Sequence, residues 1–137
     1  MADHTDAIKV VCIEDDPEMI DLVKLILARQ GYEVIGAMGG REGLETVEGV
    51  RTDLVLLDLM MPDMDGWEVY QQMKSSETMR DIPVLVVTAK AQSIDKVLGL
   101  HIAKVNDYIT KPFGPSELLS SVLRVLQEVG IEAEEAQ

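Results

Sequence analysis

The chain has 137 residues, 47% hydrophobic and 27% charged, which suits one globular domain with a single core. Its formal net charge of −13 leaves no basic stripe to neutralise phosphates, so direct nucleic-acid binding and an anionic membrane surface are not expected. Cys12 is the only cysteine, so no intrachain disulfide can form, and no apolar run is long enough to span a bilayer.

The first apolar run, residues 8–13, predicts a strand in which Cys12 is a small buried residue. The residues before it lack a basic region followed by an apolar stretch, so they are no secretory signal, and a cytoplasmic location fits. Met19, Leu22, Val23, Ile26 and Leu27 follow at helical spacing, and Gly31 stops that helix. Residues 33–37 form a short second strand. Residues 40–50 read as a weaker helix, with Leu44 and Val47 facing inward. Leu54-Val55-Leu56-Leu57 is a continuous apolar run of the kind found in strands covered on both faces. Pro62, Asp63, Asp65 and Gly66 mark a loop, and a third helix spans residues 67–74. Pro83 opens a second buried run, Val84-Leu85-Val86-Val87. Residues 93–103 predict a fourth helix, and Tyr108-Ile109-Thr110 a short last strand. Gly114-Pro115 starts the final helix, with Leu118, Leu119, Val122, Leu123 and Leu126 as its inward stripe.

Five strands alternate with five helices. This predicts an α/β fold with an open, parallel, doubly wound sheet and helices on both faces. The domain runs over residues 6–128. Residues 129–137 read as an acidic tail, and no output domain is expected.

Ligands in such folds sit beyond the carboxyl ends of the strands. Four chemically distinctive segments fall there: Glu14-Asp15-Asp16, Asp58, Thr88-Ala89 and Lys111-Pro112. Carboxylates brought together repel unless a cation joins them. Mg²⁺ suits one or two carboxylates and a substrate phosphate, and no thiolate stands at this edge to favour zinc. A carboxylate can also act as nucleophile and form an acyl phosphate. Phosphoryl transfer needs positioning and positive charge, which a metal, a Lys and a hydroxyl supply. Asp58, on the central strand, is the candidate nucleophile. Asp53, Asp63 and Asp81 read as turn residues or helix caps.

These residues resemble the receiver domains of two-component response regulators. The resemblance rests on Val10-Val11-Cys12-Ile13-Glu14-Asp15-Asp16, Leu54-Val55-Leu56-Leu57-Asp58-Leu59-Met60-Met61-Pro62-Asp63-Met64-Asp65-Gly66, Val87-Thr88-Ala89 and Tyr108-Ile109-Thr110-Lys111-Pro112-Phe113. It implies a flavodoxin-like strand order 2-1-3-4-5, which is the order of the chemotaxis regulator itself. It implies Asp58 as phosphoacceptor. Asp15 would hold Mg²⁺ directly and Glu14 through water, with Asp58 and the backbone carbonyl of Met60 as further ligands and Mn²⁺ as a substitute. Asp16 would make no metal contact. Thr88 would hydrogen-bond the phosphoryl oxygens and Lys111 would pair with them, next to a cis peptide at Pro112. Tyr108 resembles the aromatic switch residue, which turns inward behind Thr88. That remodels the face formed by the fourth helix, the fifth strand and the final helix. The implied partners are a sensor histidine kinase or phosphotransfer protein as donor and a downstream protein target. Residues 101–107 depart from the family's usual turn before this Tyr by one extra residue. His101 reads as a surface residue, and Lys90 as a position that tunes hydrolysis of the acyl phosphate.

Two other readings compete. An Mg²⁺-dependent phosphatase with an Asp nucleophile would want a second Asp two residues on, where this chain has Met60. A flavin or nucleotide binder would want a phosphate-cradling loop after the first strand, where Glu14, Asp15 and Asp16 would repel phosphate.

Overall fold

Apolar side chains alternate between the two faces of every inner strand, so the core is built in two halves. The computed structural model describes residues 7–88 and 106–130. Its strands are β1 (Lys9–Glu14), β2 (Glu33–Met38), β3 (Leu54–Asp58), β4 (Val84–Thr88) and β5 (Asp107–Thr110). They form one sheet in the order β2-β1-β3-β4-β5, with every pair parallel. The helices among the described residues are α1 (Pro17–Ala28), α2 (Gly40–Gly49), α3 (Gly66–Lys74) and α4 (Pro115–Glu128). The predicted helix at residues 93–103 lies outside the described residues, as do Lys90 and His101.

Val10, Cys12, Leu54, Leu56, Leu85, Val87 and Ile109 face α1 and α4. Val11, Ile13, Val55, Leu57, Val84 and Val86 face α2 and α3, where Trp67, Tyr70 and Met73 complete the packing. This period of two on strands covered from both sides is why β1, β3 and β4 read as continuous apolar runs.

Local chemistry sets the helix starts. Asp16 caps α1 by accepting the Glu18 N–H at 3.0 Å, and Pro17 takes the first helical position. Asp65 caps α3 by accepting the Trp67 N–H at 2.8 Å. Gly31, with φ 85°, turns the chain after α1. Among the described residues no helix is long and apolar enough to cross a membrane.

The buried faces of α1 and α4 depart from the apolar spacing, and the inward stripe predicted for the final helix is corrected. On α1, Leu22 is exposed and Ile20 is buried in its place. On α4, Leu123 is exposed, while Ser121 and Val125 are buried with Leu118, Val122 and Leu126. Both helices carry a wider apolar arc than the sheet can cover, so spacing alone does not choose the inward face. Gly66 is also not a loop residue but the first residue of α3.

Candidate functional site

Parallel register brings two acids together. Ile13 of β1 lies opposite Leu57 of β3, and one step further the strands end on Glu14 and Asp58. Each residue is only 3% exposed. Asp15 follows at the start of the β1–α1 loop. One carboxylate oxygen from each of Glu14, Asp15 and Asp58 lies within 4.8 Å of the others. Lys111, immediately after β5, reaches in from 97 residues away. Its Nζ is 2.8 Å from Glu14 Oε1 and 3.6 Å from Asp58 Oδ2.

The remaining lone pairs are partly engaged by backbone. The Met60 N–H donates to Asp58 Oδ1 at 3.1 Å, and the Asp16 N–H donates to Glu14 Oε2 at 3.3 Å. Cys12, Met19, Val23, Leu56 and Val87 form an apolar wall beneath the acids.

Three carboxylates therefore face one ammonium. Burial, opposed by the Lys111 hydrogen bond and reinforced by the Asp58 charge, pushes the Glu14 carboxyl up to about 7. Burial works against the charge on Lys111, but its bond to Glu14 and the nearby Asp58 outweigh that and raise it. Burial and the Glu14 charge push the Cys12 thiol up to about 12, so no thiolate competes for a cation here. The donor set is all oxygen, crowded and short of positive charge, which fits a small hard divalent ion.

The raised Glu14 carboxyl has a consequence for the metal-free chain. Folding favours its protonated form, so that contribution is complete below pH 4.5 and is lost as pH rises through about 7. Glu14→Gln is expected to melt higher than the parent chain above pH 7, with the gap closing as pH falls toward 4.5. Thermal unfolding with a chelator present checks it. A lower Tm for Glu14→Gln above pH 7 would show that the Lys111 pair outweighs burial.

The other predicted site residues fall as follows. Thr88 ends β4, one residue beyond Val87, which pairs with Asp58, and its own backbone partner is Thr110. Met60 follows Asp58 by two residues and is exposed. Tyr108 pairs with Val86 and is 39% exposed. The Lys111–Pro112 peptide is cis. Asp16 is engaged as the α1 cap. Asp53 accepts the Lys9 N–H at 2.9 Å, at the amino edge of the sheet. Asp63 is a cap, but of α2 rather than of the helix that follows it. Gly66, expected only as a loop marker, instead sits where α3 packs against the end of β3. A Cβ there would stand 2.4 Å from the Asp58 carbonyl oxygen. Its one local signal was its place just after the Asp65 cap.

Comparison with known proteins gives a consistent result. The sequence model of the response regulator receiver domain matches residues 10–123. The chain is 39% identical over 125 residues to the alkaline phosphatase synthesis transcriptional regulatory protein PhoP of Bacillus subtilis, covering 91% of this chain and 51% of that protein. It spans about half the length of the curated relatives it matches. Among solved structures, the signal receiver domain of a histidine kinase from Syntrophus aciditrophicus superposes with a TM-score of 0.81 at 32% identity, covering 93% of this chain and 96% of that one. The response regulator protein TrrA of Thermotoga maritima, in complex with Mg²⁺ and BeF, superposes with a TM-score of 0.77 at 28% identity, covering 87% of this chain and 99% of that one.

Proposed function

Since this chain belongs to the response regulator receiver domain family, we propose that it is a signalling switch whose Asp58 accepts a phosphoryl group from the phospho-His of a sensor histidine kinase or phosphotransfer protein. Small acyl phosphates serve as alternative donors. Residues 6–128 are the unit that does this. The observation that carries the reading is the meeting of Glu14, Asp15, Asp58 and Lys111 at one strand edge.

In the transfer, an Asp58 carboxylate oxygen attacks phosphorus, the phosphorus–nitrogen bond breaks, and its electron pair stays on the imidazole nitrogen. Asp58 ends as an acyl phosphate. Mg²⁺, or Mn²⁺ in its place, supplies positive charge against the phosphoryl oxygens when bound. Asp15, Asp58 and the Met60 carbonyl would hold it, with Glu14 acting through water. Lys111 balances charge on the transferred group, and its primary amine already lies near both Glu14 and Asp58. The Thr88 hydroxyl donates to a phosphoryl oxygen. Tyr108 then packs inward behind it, which alters the surface around β5 and α4 that a downstream protein reads. The phosphoryl group favours one of two packings and shifts the population toward it. The chain catalyses only its own phosphorylation and dephosphorylation. A cytoplasmic location fits the phosphodonor.

The reading is tested by incubating the chain with a small acyl phosphate, with Mg²⁺ or with a chelator, and mapping the adduct by mass spectrometry. An Mg²⁺-dependent phosphoryl group on Asp58 is expected. An adduct elsewhere, or none under any donor, would sink it.

A further inference from the structure

The loop that carries Met60 runs from the end of β3 to the start of α3, and its middle is tied to a helix from another part of the chain. Asp63 Oδ1 accepts the Gly40 N–H at 3.1 Å, and Oδ2 lies 3.3 Å from the Arg41 N–H donor. These are the first amides of α2, which no intrahelical carbonyl can satisfy. The β2–α2 turn is shaped to receive the carboxylate. Gly39 has φ +101°, and a side chain on it would meet the Asp63 oxygens at 2.9 and 3.0 Å. A side chain on Gly40 would meet Met64 Cβ and Val69 Cγ2, each at 2.8 Å. The Gly39 N–H in turn donates to the Glu14 carbonyl at 3.3 Å. The loop's far end is fixed separately, by the Gly66 N–H on the Leu59 carbonyl at 3.1 Å and by the Asp65 cap.

Building on the reading of Asp58 and its metal given above, we infer that Asp63 is a positioning residue: it anchors the Met60 loop to the amino end of α2, so that Met60 stays aimed at the Asp58 pocket. Two backbone N–H groups and the positive end of the helix favour its negative charge. Those two hydrogen bonds also hold its carboxyl below the usual range. Remove the carboxylate and both amides lose their partner, while the loop keeps its end contacts, the Met60 N–H bond to Asp58 and the packing of Met61 and Met64 against the core. The β2–α2 turn and the phosphoacceptor are thereby linked through one side chain.

The test compares Asp63→Ala, Asp63→Asn and Asp53→Ala with the parent chain. Asp53→Ala removes a carboxylate that also caps a backbone N–H, but at the opposite edge of the sheet. Two quantities are read: the Kd for Mg²⁺ by calorimetry, and amide hydrogen exchange over residues 59–66 without metal. Asp63→Ala should weaken Mg²⁺ binding about tenfold, the scale of losing a group that orients a ligand. It should also speed exchange of the Met60 N–H. Asp63→Asn should recover most of both, since its amide oxygen can still accept from Gly40. Asp53→Ala should move neither. If Asp63→Ala does not fold, Asp63→Ser, which shortens the reach, gives the same comparison. An unchanged Kd and unchanged loop exchange in a folded Asp63→Ala chain overturn the inference, as does an equal loss in Asp53→Ala. A parent chain that binds no Mg²⁺ overturns the underlying reading instead, and loop exchange then still decides whether Asp63 anchors the loop.

Discussion

Asp58→Asn is expected to take up no phosphoryl group while keeping the fold. The replacement has the same shape and sits at the end of the central strand. Its amide oxygen can still accept the Met60 N–H that now bonds Asp58 Oδ1. What it lacks is a nucleophilic carboxylate. Losing the nucleophile removes the reaction path rather than slowing it, so labelling should fall by about 10⁴-fold or more, to background. Stability should move the other way. Glu14 is held up partly by the Asp58 charge. Deleting that charge eases repulsion in the metal-free chain, so the Tm should hold or rise. Intact mass after incubation with a small acyl phosphate and Mg²⁺ reads the first effect, and scanning calorimetry reads the second. A variant that folds and still carries the phosphoryl group at full level would place the acceptor elsewhere.

Gly66→Ala is expected to be the most damaging single methyl in the described residues. The new Cβ would lie 2.4 Å from the Asp58 carbonyl oxygen and 2.6 Å from Leu59 Cα. Both obstacles are backbone, so no rotamer change relieves them. Overpacking of this kind costs about 1–3 kcal/mol, and more where nothing can yield. For a chain of this size that is a fall of roughly 10 °C in Tm. The site should suffer too, because the displaced atoms belong to Asp58 and its neighbour. Weaker Mg²⁺ binding should therefore accompany the lower Tm. Gly49→Ala is the control: it ends α2 with nothing within 4 Å of the added Cβ. It should be neutral or slightly stabilising. Equal Tm values for the two variants would mean that α3 can shift away from β3 without cost.

Much of this architecture is written in local patterns. The apolar runs of β1, β3 and β4 announce a sheet covered on both faces, and a parallel sheet forces the residues after each strand to one edge. Glu14, Asp58, Thr88 and Lys111 can therefore be grouped from the sequence alone. The strand order could not be read that way and came from resemblance. Residue spacing also failed on α1 and α4, where Leu22 and Leu123 fit the apolar period but lie outside the covered arc. Burial is decided by what packs against a helix, not by the helix alone. Asp63 was legible as a cap, yet its helix was not, because the bonded amides lie 22 and 23 residues away. Turn chemistry speaks about neighbours in sequence and is silent on neighbours in space. Gly66 was hidden for a related reason: a glycine needed for close approach looks the same as one that merely loosens a loop.

Cys12 makes the chain its own gauge of how often the inner strands part. Its thiol is shut between sheet and helix and pushed up to about 12. An alkylating reagent at neutral pH can therefore reach it only during an opening event. With a single cysteine, one modification rate reports one motion. The sulfur lies two residues from Glu14, on the strand beside Asp58, so an ion that draws those acids together should slow its capture. Following that rate with and without Mg²⁺ would time the breathing of the strands beneath the acids.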